Sequence, residues 1–461
     1  MNRRQFAVTA AASLASTALP CSAKSSAATL GIDETKPGPR IPTDFTGLSY
    51  ESAQLANPQF FSAENKPLIE LFRQLTTSGN LRIGGGSSEY TTYSNAAPSG
   101  PPPFEVFGPD TSKTVKHGTT TTALALRNLR AFLDATGWSC LYGLNLGQGT
   151  KENAAAEAEA VFRILGPKLV AFQIGNEPDS FRNRYRPASY GPDDYIAEWN
   201  TFHDAIVARV HQAKFAGPDI SNKLPFLTAF AQEARKHRDV ILLTGHYYAM
   251  GPARSPDATI EQLAEPNPKL ATMHASGFEA VAEAMKISGL PFRMSEGNSC
   301  WDGGKPGVSD TLASALWCAD AMLRFASMGW CGMNLHGGGN GYYTPIAGAP
   351  SSGFTRRPEY FGIQFAQTFA GAQLVPARLT GAPDHITAFA ADRNGSRSVA
   401  IINKTETPAR IALPAPCNRR AMQLTGPTLD AKDRITFDEI STQRSAEVHI
   451  PAHSALIFVL T

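Results

Sequence analysis

The chain has little of what characterises disulfide-stabilised, nucleic-acid-binding or membrane-spanning proteins. Its six cysteines are scattered and form neither a Cys-x-x-Cys pair nor a Cys/His set typical of a zinc site. The 461 residues carry a formal net charge of only +2 without a dense Lys/Arg cluster, which argues against nucleic acid as a partner. Beyond the N-terminal segment, no apolar run reaches the ~20 residues needed to span a bilayer. The composition, 42% hydrophobic and 18% charged, is that of a globular protein with a large core.

The N-terminal segment has the pattern of an export signal. "MNRRQFAVTAAASLASTALPCSA" places Arg3 and Arg4 before an alanine-rich apolar stretch that ends in small residues near Ala23. The "RRQF" arrangement is typical of a twin-arginine signal, and an ordinary secretory signal is the alternative. We therefore predict a signal over residues 1–28 and a periplasmic or secreted location. Without Cys21, five cysteines remain, and an odd number favours buried thiols over a disulfide framework.

Eight short apolar runs alternate with helical patterns, and each run ends in polar or glycine-rich residues. The runs are "FTGLSYES", "LRIGGGSS", "CLYGLNLGQG", "VAFQIGNEP", "KFAGPDI", "ILLTGHYY", "PFRMSEGN" and "CGMNLHGGGN". This alternation predicts an α/β fold, a (β/α)8 TIM barrel, in which chemistry lies at the C-terminal ends of the strands. A doubly wound open sheet is the alternative. Because "IGGGSS" and "LHGGGNG" lack the G-x-G-x-x-G pattern, the sequence does not favour a dinucleotide cofactor.

After about residue 370 the pattern changes to alternating strands. "TAFAADRNGSRSVAIIN" contains Asn394-Gly395, which predicts a hairpin turn. We predict a catalytic barrel over residues 40–365 and a C-terminal β-sandwich built from residues 29–39 and 366–461. The insertion from Asn95 to Gly118 is rich in Pro and Gly and is interpreted as a long loop above the barrel.

Two glutamates end the fourth and the seventh runs. Glu177 lies in "GNEP" and Glu296 in "MSEGN", and a barrel brings the ends of both strands to one mouth. Two carboxyl groups suit glycoside hydrolysis, in which one protonates the leaving oxygen and the other attacks the anomeric carbon. A single strand-end glutamate is more often a salt-bridged or solvated rim residue. The hypothesis therefore depends on the pair, together with "GHYY" at the end of the sixth run.

Five motifs, in their order and spacing, carry a family resemblance. From about Ile41 to Tyr360, "LRIGGGSS", "GNEP", "GHYY", "MSEGNSCWDGG" and "HGGGNGYYTP" make the chain similar to the heparanase-like β-glucuronidases of glycoside hydrolase family 79. The resemblance implies a retaining β-glucuronidase that acts on a glucuronic-acid-containing glycoside or oligosaccharide, without a metal or cofactor. It also implies that Glu177 is the general acid/base, that Glu296 is the nucleophile and that Asn176 binds the sugar 2-hydroxyl.

The resemblance also assigns residues around the nucleophile. Arg82 and Tyr247 would lie near Glu296 and keep it ionised, with His246 in support. A metal role for the strand-end histidines has little support, because their spacing matches no ligand motif. The remaining residues expected to contact the sugar are Ser87, Glu51 and His336.

A pocket for the uronate carboxylate is the last implied element. The backbone N–H groups of Trp301 and Gly303, with Gly304 adjacent, and the hydroxyl of Tyr343 would form it. The family commonly has a tyrosine where this chain has Trp301. Asp302 would repel a uronate unless its side chain points away.

Two alternatives to an exo-acting β-glucuronidase stay open at this point. One is an endo-β-glucuronidase of the heparanase type, and the other is a non-catalytic carbohydrate-binding relative. The chain lacks the dense basic clusters that animal heparanases use for sulfated chains, and the Asn95–Gly118 insertion could close one end of the cleft. Both observations favour exo action. The aglycone and the oligomeric state are left open.

Overall fold

A computed structural model describes residues 28–95, 119–265, 275–338 and 341–461. The predicted export signal and nearly all of the Asn95–Gly118 insertion lie outside these residues. Ala28, which the sequence analysis placed in the signal, is the first residue of the first strand.

The strands and helices are named here in chain order. The strands are β1 (Ala28–Ile32), β2 (Thr46–Glu51), β3 (Asn80–Gly84), β4 (Thr91–Ser94), β5 (Thr119–Thr122), β6 (Ser139–Leu144), β7 (Leu169–Ile174), β8 (Phe215–Ile220), β9 (Val240–Tyr248), β10 (Phe292–Asn298), β11 (Gly332–Gly337), β12 (Ile346–Ala349), β13 (Gly353–Arg356), β14 (Gln373–Val375), β15 (Ala377–Thr380), β16 (Ile386–Arg393), β17 (Ser396–Asn403), β18 (Ala409–Ala412), β19 (Cys417–Thr425), β20 (Thr436–Ser441), β21 (Glu447–Ile450) and β22 (Ser454–Leu460). The helices are α1 (Lys66–Leu75), α2 (Ala123–Thr136), α3 (Lys151–Leu165), α4 (Pro192–Arg209), α5 (Leu224–Ala234), α6 (Ile260–Ala264), α7 (Ala275–Ser288), α8 (Leu312–Ser327) and α9 (Pro358–Gln367).

In the described part of the chain, eight parallel strands close into a barrel. Their order around the barrel is β2, β3, β6, β7, β8, β9, β10 and β11, and these are the eight predicted runs. The strands are buried along almost their whole length, because a parallel sheet has the barrel interior on one face and helices on the other. The predicted TIM-barrel class is confirmed. The ends of β7 and β10 lie at the same mouth.

Local sequence signals set the helix ends around the barrel. Thr122 caps α2 by accepting the N–H of Ala125 at 3.2 Å, and Thr150 caps α3 by accepting the N–H of Asn153 at 3.3 Å. The left-handed Gly137, with φ 84°, ends α2. A Cβ there would lie 2.2 Å from a backbone oxygen, so only glycine fits.

Two sheets form the C-terminal β domain and enclose an apolar core of their own; their strands pair antiparallel except for β1 and β18, which are parallel. One sheet has the order β15, β1, β18, β21, and the other β14, β16, β17, β22, β19, β20. Strand β1 lies between β15 and β18, so residues before Pro42 contribute to this domain. The β16–β17 turn has φ 54° at Asn394 and 81° at Gly395. Positive values at both positions are typical of the predicted Asn-Gly hairpin.

Helix α8 lies between the barrel and the β domain. All of its residues except Arg324 and Ser327 are buried, as expected for a helix that is apolar around its whole circumference. Its Asp320 receives an ion pair from Lys404 at 3.0 Å and a hydrogen bond from Thr387 at 2.9 Å. Lys404 and Thr387 belong to the β domain. A buried ion pair therefore joins the two parts of the chain.

The described residues also bear on the cysteine and membrane predictions. Cys140, Cys300, Cys318, Cys331 and Cys417 are free thiols. Among the residues that the structure describes, no helix is both long enough and apolar enough to cross a membrane.

Lys404→Met should destabilise the protein by about 3–5 kcal/mol, because it leaves the buried Asp320 without its nearest cation. Although burial opposes it, Lys404 helps to hold the pKa of Asp320 below its usual value. The stabilisation is therefore fully present above the pKa that Asp320 has in the unfolded chain, and it is lost as the pH falls through the pKa of Asp320 in the folded chain. Urea unfolding at pH 7 and at acidic pH measures both effects.

Arg420→Met is the matched control for this experiment. Arg420 pairs with Glu439 at 3.2 Å within the β domain, but the two side chains are 73% and 54% exposed. Exposed pairs contribute about 0–1 kcal/mol. Equal losses in the two variants would contradict a special role for the buried pair.

Candidate active site

A fully buried guanidinium lies at the centre of the barrel mouth. Arg82 on β3 donates from Nη1 to Glu296 Oε2 at 2.6 Å and from Nη2 to Asn176 Oδ1 at 2.7 Å, and it also pairs with Asp219. Its other partners are Gln173 Oε1 at 3.1 Å and Ser49 Oγ at 3.2 Å. One side chain on β3 therefore connects residues from four other strands or strand ends.

Glu296, near the end of β10, is surrounded by donors and cations. The Tyr248 hydroxyl donates to its Oε1 at 2.8 Å, and Nδ1 of His246 and Nδ1 of His336 each lie 3.9 Å from one of its oxygens. Burial raises the pKa of Glu296, but His336, His246 and Arg82 outweigh burial and bring the pKa to about 2. Glu296 is therefore ionised at neutral pH.

Glu177 follows β7 in a left-handed conformation with φ 52°. Its Oε1 accepts a hydrogen bond from Nδ1 of His246 at 2.9 Å. Burial raises the pKa of Glu177 and the nearby Glu296 adds to the increase, while the bond from His246 offsets only part of it. One oxygen of Glu177 and one of Glu296 lie within 4.8 Å of each other. The site thus holds two neighbouring carboxyl groups whose pKa values are shifted in opposite directions.

The prediction that Tyr247 contacts the nucleophile or the sugar is wrong, and Tyr248 takes that position. Tyr247 points out of the barrel and packs against Phe325 and Trp317 of α8, with ring centroids 4.9 Å and 6.5 Å away. Side chains alternate along a strand, so His246 and Tyr248 face the mouth and the residue between them cannot.

Two residues of the site were missed by the sequence analysis because they lie on irregularities of their strands. The pairing of β8 with β9 shifts around Asp219, and the pairing of β10 with β9 shifts around Ser295. Such bulges re-aim side chains. Both residues face the interior, where Ser295 donates to Asp219. A signal for Asp219 was present, since "KFAGPDI" also carries a carboxylate next to its end, but alternation alone cannot tell which way the side chain points.

The residues predicted to bind a uronate carboxylate lie together beside Glu296. The rings of Trp301 and Tyr343 lie 6.2 Å and 6.4 Å from the ring of Tyr248. Gly303 and Gly304 have φ of 80° and 81°, and a Cβ on Gly304 would lie 2.7 Å from the backbone nitrogen of Tyr343. The loop after β10 can therefore approach the loop after β11 closely.

Asp302 within this loop points toward a cation. Arg254 donates from Nη1 to Asp302 Oδ2 at 2.7 Å on the outer surface. The expected repulsion of a uronate is thereby reduced.

Glu51, Ser87 and His336 are bonded to one another or to site residues. The backbone N–H of Ser87 donates to Glu51 Oε2 at 2.7 Å, and Glu51 Oε1 lies 3.6 Å from Nε2 of His336. Nδ1 of His336 lies 3.1 Å from Ser49 Oγ. The three residues predicted to contact the sugar thus form one cluster around Glu51.

Two groups of side chains among the described residues have the spacing of possible metal ligands. Glu177, His246 and Glu296 offer one atom each within 4.8 Å. The carboxylates around His246 raise its pKa well above the usual value despite burial, which favours the imidazolium, a donor, over the neutral ring that binds a metal. The second group consists of His203 on α4 and of His237 and Asp239, which lie just before the start of β9.

Two curated β-glucuronidases are similar to this chain in sequence. The chain is 26% identical over 400 residues to a β-glucuronidase of Aspergillus niger, covering 79% of this chain and 69% of that protein. A β-glucuronidase of Neurospora crassa is 24% identical over 376 residues, covering 74% of this chain and slightly under two thirds, 66%, of the relative. No family model matches.

Solved structures share the fold. A 4-O-α-L-rhamnosyl-β-D-glucuronidase of Fusarium oxysporum, solved with Rha-GlcA, matches with a TM-score of 0.72 at 17% identity, over 94% of this chain and all of that one. A family 51 arabinofuranosidase of Xanthomonas axonopodis matches with a TM-score of 0.65 at 14% identity, over the same shares.

The TIM barrel and the glycosidases that match the chain in sequence define the class: this chain is a glycoside hydrolase. Its homologues narrow the class further, since they are β-glucuronidases. The chain is a β-glucuronidase-like glycoside hydrolase, and the resemblance drawn from its motifs is confirmed.

We expect His246 to remain an imidazolium through neutral pH, because Glu296 and Asp219 favour its charged form and outweigh burial. The two ring nitrogens lie 2.9 Å from Glu177 and 3.2 Å from Asp219. Histidine side-chain ¹⁵N NMR, with His246→Gln to assign the signal, measures the titration. The contribution of the His246 imidazolium to the free energy of unfolding should be complete below the pKa of this histidine in the unfolded chain. It should be lost as the pH rises through the pKa of His246 in the folded chain. Titration of this ring below pH ~6.5 would contradict the expectation.

Proposed function

We propose that the chain is an exported, retaining β-glucuronidase that releases terminal β-linked glucuronic acid by double displacement. The observation that carries this proposal is the pair of oxygens of Glu177 and Glu296 within 4.8 Å, on carboxyl groups with opposite pKa shifts. Retaining enzymes have the two groups about 5–5.5 Å apart, whereas inverting enzymes need about 6.5–9.5 Å to admit water.

In the first step, ionised Glu296 attacks the anomeric carbon while protonated Glu177 gives its proton to the leaving oxygen. The glycosidic bond breaks and a glucuronosyl ester forms on Glu296. In the second step, Glu177 takes a proton from water, which attacks the same carbon and releases β-glucuronic acid with Glu296 regenerated. Arg82 and Tyr248 favour the ionised nucleophile through the contacts described above. Asn176, held by Arg82, would bind the 2-hydroxyl.

Selection for a uronate is assigned to the loops after β10 and β11. The N–H groups of Trp301 and Gly303 and the hydroxyl of Tyr343 would receive the carboxylate. This assignment is supported by their position beside Tyr248 and by the β-glucuronidase activity named for the homologues. The pairing of Asp302 with Arg254 limits repulsion of the anion.

Exo action and export are supported by the sequence. The chain lacks a dense Lys/Arg cluster that would hold a long sulfated polymer, and the Asn95–Gly118 insertion continues from β4 at the mouth. The twin-arginine pattern supports export of a folded chain. The five free thiols of the described residues are compatible with folding in a reducing compartment.

Azide should distinguish the roles of the two glutamates. In Glu177→Ala, a dinitrophenyl β-glucuronide needs no proton, so the ester on Glu296 accumulates and azide converts it to the β-glucuronosyl azide. An unactivated alkyl glucuronide should lose roughly 10²–10⁴-fold in rate, the usual contribution of a general acid. Product NMR and steady-state rates measure both effects.

The companion variant is Glu296→Ala, in which no ester forms and azide can give only the inverted α-azide. A β-azide from Glu296→Ala would mean that the two roles are exchanged. If wild type released α-glucuronic acid as its first product, the retaining mechanism would be wrong.

Tyr343→Phe should impair hydrolysis of an aryl glucuronide more than that of the corresponding glucoside, since only the glucuronide presents a carboxylate to the hydroxyl. A lost hydrogen bond to a charged group is worth about 1.5–3 kcal/mol, or roughly tenfold to a hundredfold in relative kcat/KM. Tyr342→Phe, at the neighbouring half-buried tyrosine, is the control and should leave the ratio unchanged. Equal losses on the two sugars in Tyr343→Phe would overturn the carboxylate pocket.

A further inference from the structure

A third buried carboxylate is bonded to the turn that carries Glu177. Glu89 lies in the short 3-10 turn that follows β3, and it is 1% exposed. Its Oε1 accepts the backbone N–H of Asn176, while its Oε2 accepts those of Leu146, at 3.1 Å, and Gly147. One carboxylate thus receives three backbone donors from the segments after two neighbouring barrel strands, β6 and β7.

The turn from Gly175 to Glu177 needs such support. Gly175 has φ 87° and Glu177 has φ 52°, and the left-handed conformation is costly for a glutamate. Each N–H of the turn has a partner: Gly175 donates to the Leu144 carbonyl at 3.1 Å, and Glu177 donates to the Asp219 carbonyl at 2.9 Å. Asn176, between them, donates to the side chain of Glu89. The middle of the turn is therefore fixed by a side chain that a single substitution can change.

We propose that Glu89 is a positioning residue for acid catalysis, which fixes the Asn176–Glu177 turn so that the Glu177 carboxyl is aimed at the leaving oxygen. Burial raises the pKa of Glu89 to about 7, and the three backbone N–H groups oppose that rise by favouring the ionised form. A carboxylate suits this position because both of its oxygens only accept, and the three backbone N–H groups only donate. An amide of the same shape would place its own N–H against a backbone N–H. The inference rests on the acid/base role proposed for Glu177.

The dependence of rate on the leaving group separates positioning from a purely structural role. A misplaced acid slows substrates whose leaving group needs a proton and spares those whose leaving group does not. General loss of folded protein lowers kcat/KM by the same factor for every substrate. The comparison uses kcat/KM because it reports the steps up to formation of the glucuronosyl ester and not its hydrolysis.

The test is Glu89→Gln, assayed on aryl β-glucuronides whose phenols range from strongly to weakly acidic. We expect kcat/KM to fall about tenfold to a hundredfold for the weakly acidic phenols, since a displacement of about 1 Å costs up to that much. For dinitrophenol the loss should stay within about threefold, because the acid contributes little there. An equal factor across the series would overturn the proposal.

Two further variants complete the experiment. Glu157→Gln is the matched control: Glu157 is also buried but lies on α3 and accepts only the Tyr142 hydroxyl, at 2.8 Å, so its leaving-group dependence should equal that of wild type. Gly147→Ala serves if Glu89→Gln does not fold. Its Cβ would lie 2.8 Å from Glu89 Oε2 and displace the carboxylate, so it should steepen the dependence in the same direction. An unchanged dependence in folded Gly147→Ala would likewise overturn the proposal.

The proposed function is tested separately in the same assays. If wild type hydrolyses the series and Glu177→Ala is rescued by azide, the role of Glu177 stands whatever Glu89→Gln shows. If Glu177→Ala itself has the leaving-group dependence of wild type, the acid/base assignment is wrong, and the inference about Glu89 falls with it.

Discussion

The buried guanidinium of Arg82 is the constraint on which the rest of the site depends. Removing a charge of this kind from water costs several kcal/mol unless its donors are satisfied. In this barrel, two carboxylates, Glu296 and Asp219, and three neutral acceptors satisfy them. Removal of any one of these acceptors would therefore leave part of the buried guanidinium unsatisfied. The contact of Arg82 with Glu296 both satisfies the buried guanidinium and keeps Glu296 ionised. The stability of the folded barrel and the ionisation of the site therefore depend on the same interaction.

The opposite behaviour of the two glutamates follows from how they share the cations. Glu296 lies close to Arg82, His246 and His336, whereas Glu177 is bonded to His246, which also lies against Asp219. The negative charge of Glu296 raises the pKa of Glu177 in turn. A small difference in position between two chemically identical side chains is thus enough to shift the pKa of one down and that of the other up.

The sequence predicts those parts of the molecule that follow regular patterns. All eight barrel strands are visible as apolar runs, and Glu177 and Glu296 stand out because carboxylates are unusual at the ends of buried strands. Tyr247 was chosen in place of Tyr248 because the motif "GHYY" does not say which tyrosine faces inward. Asp219 was missed because it lies on a bulge, where alternation fails. Glu89 was missed because nothing in a 3-10 turn indicates which backbone groups it will meet in the folded chain.

Helix α8 makes the β domain more than an appended module. Its apolar circumference packs on both sides, and its Asp320 forms an ion pair with Lys404, which directly follows β17. A chimaera that joins this barrel to the β domain of a relative would keep the carboxylate and lose its nearest cation, unless the relative places a basic residue at the same point. Exchange of the β domain is therefore restricted at its contact with α8, because the carboxylate of this ion pair comes from one part of the chain and its cation from the other.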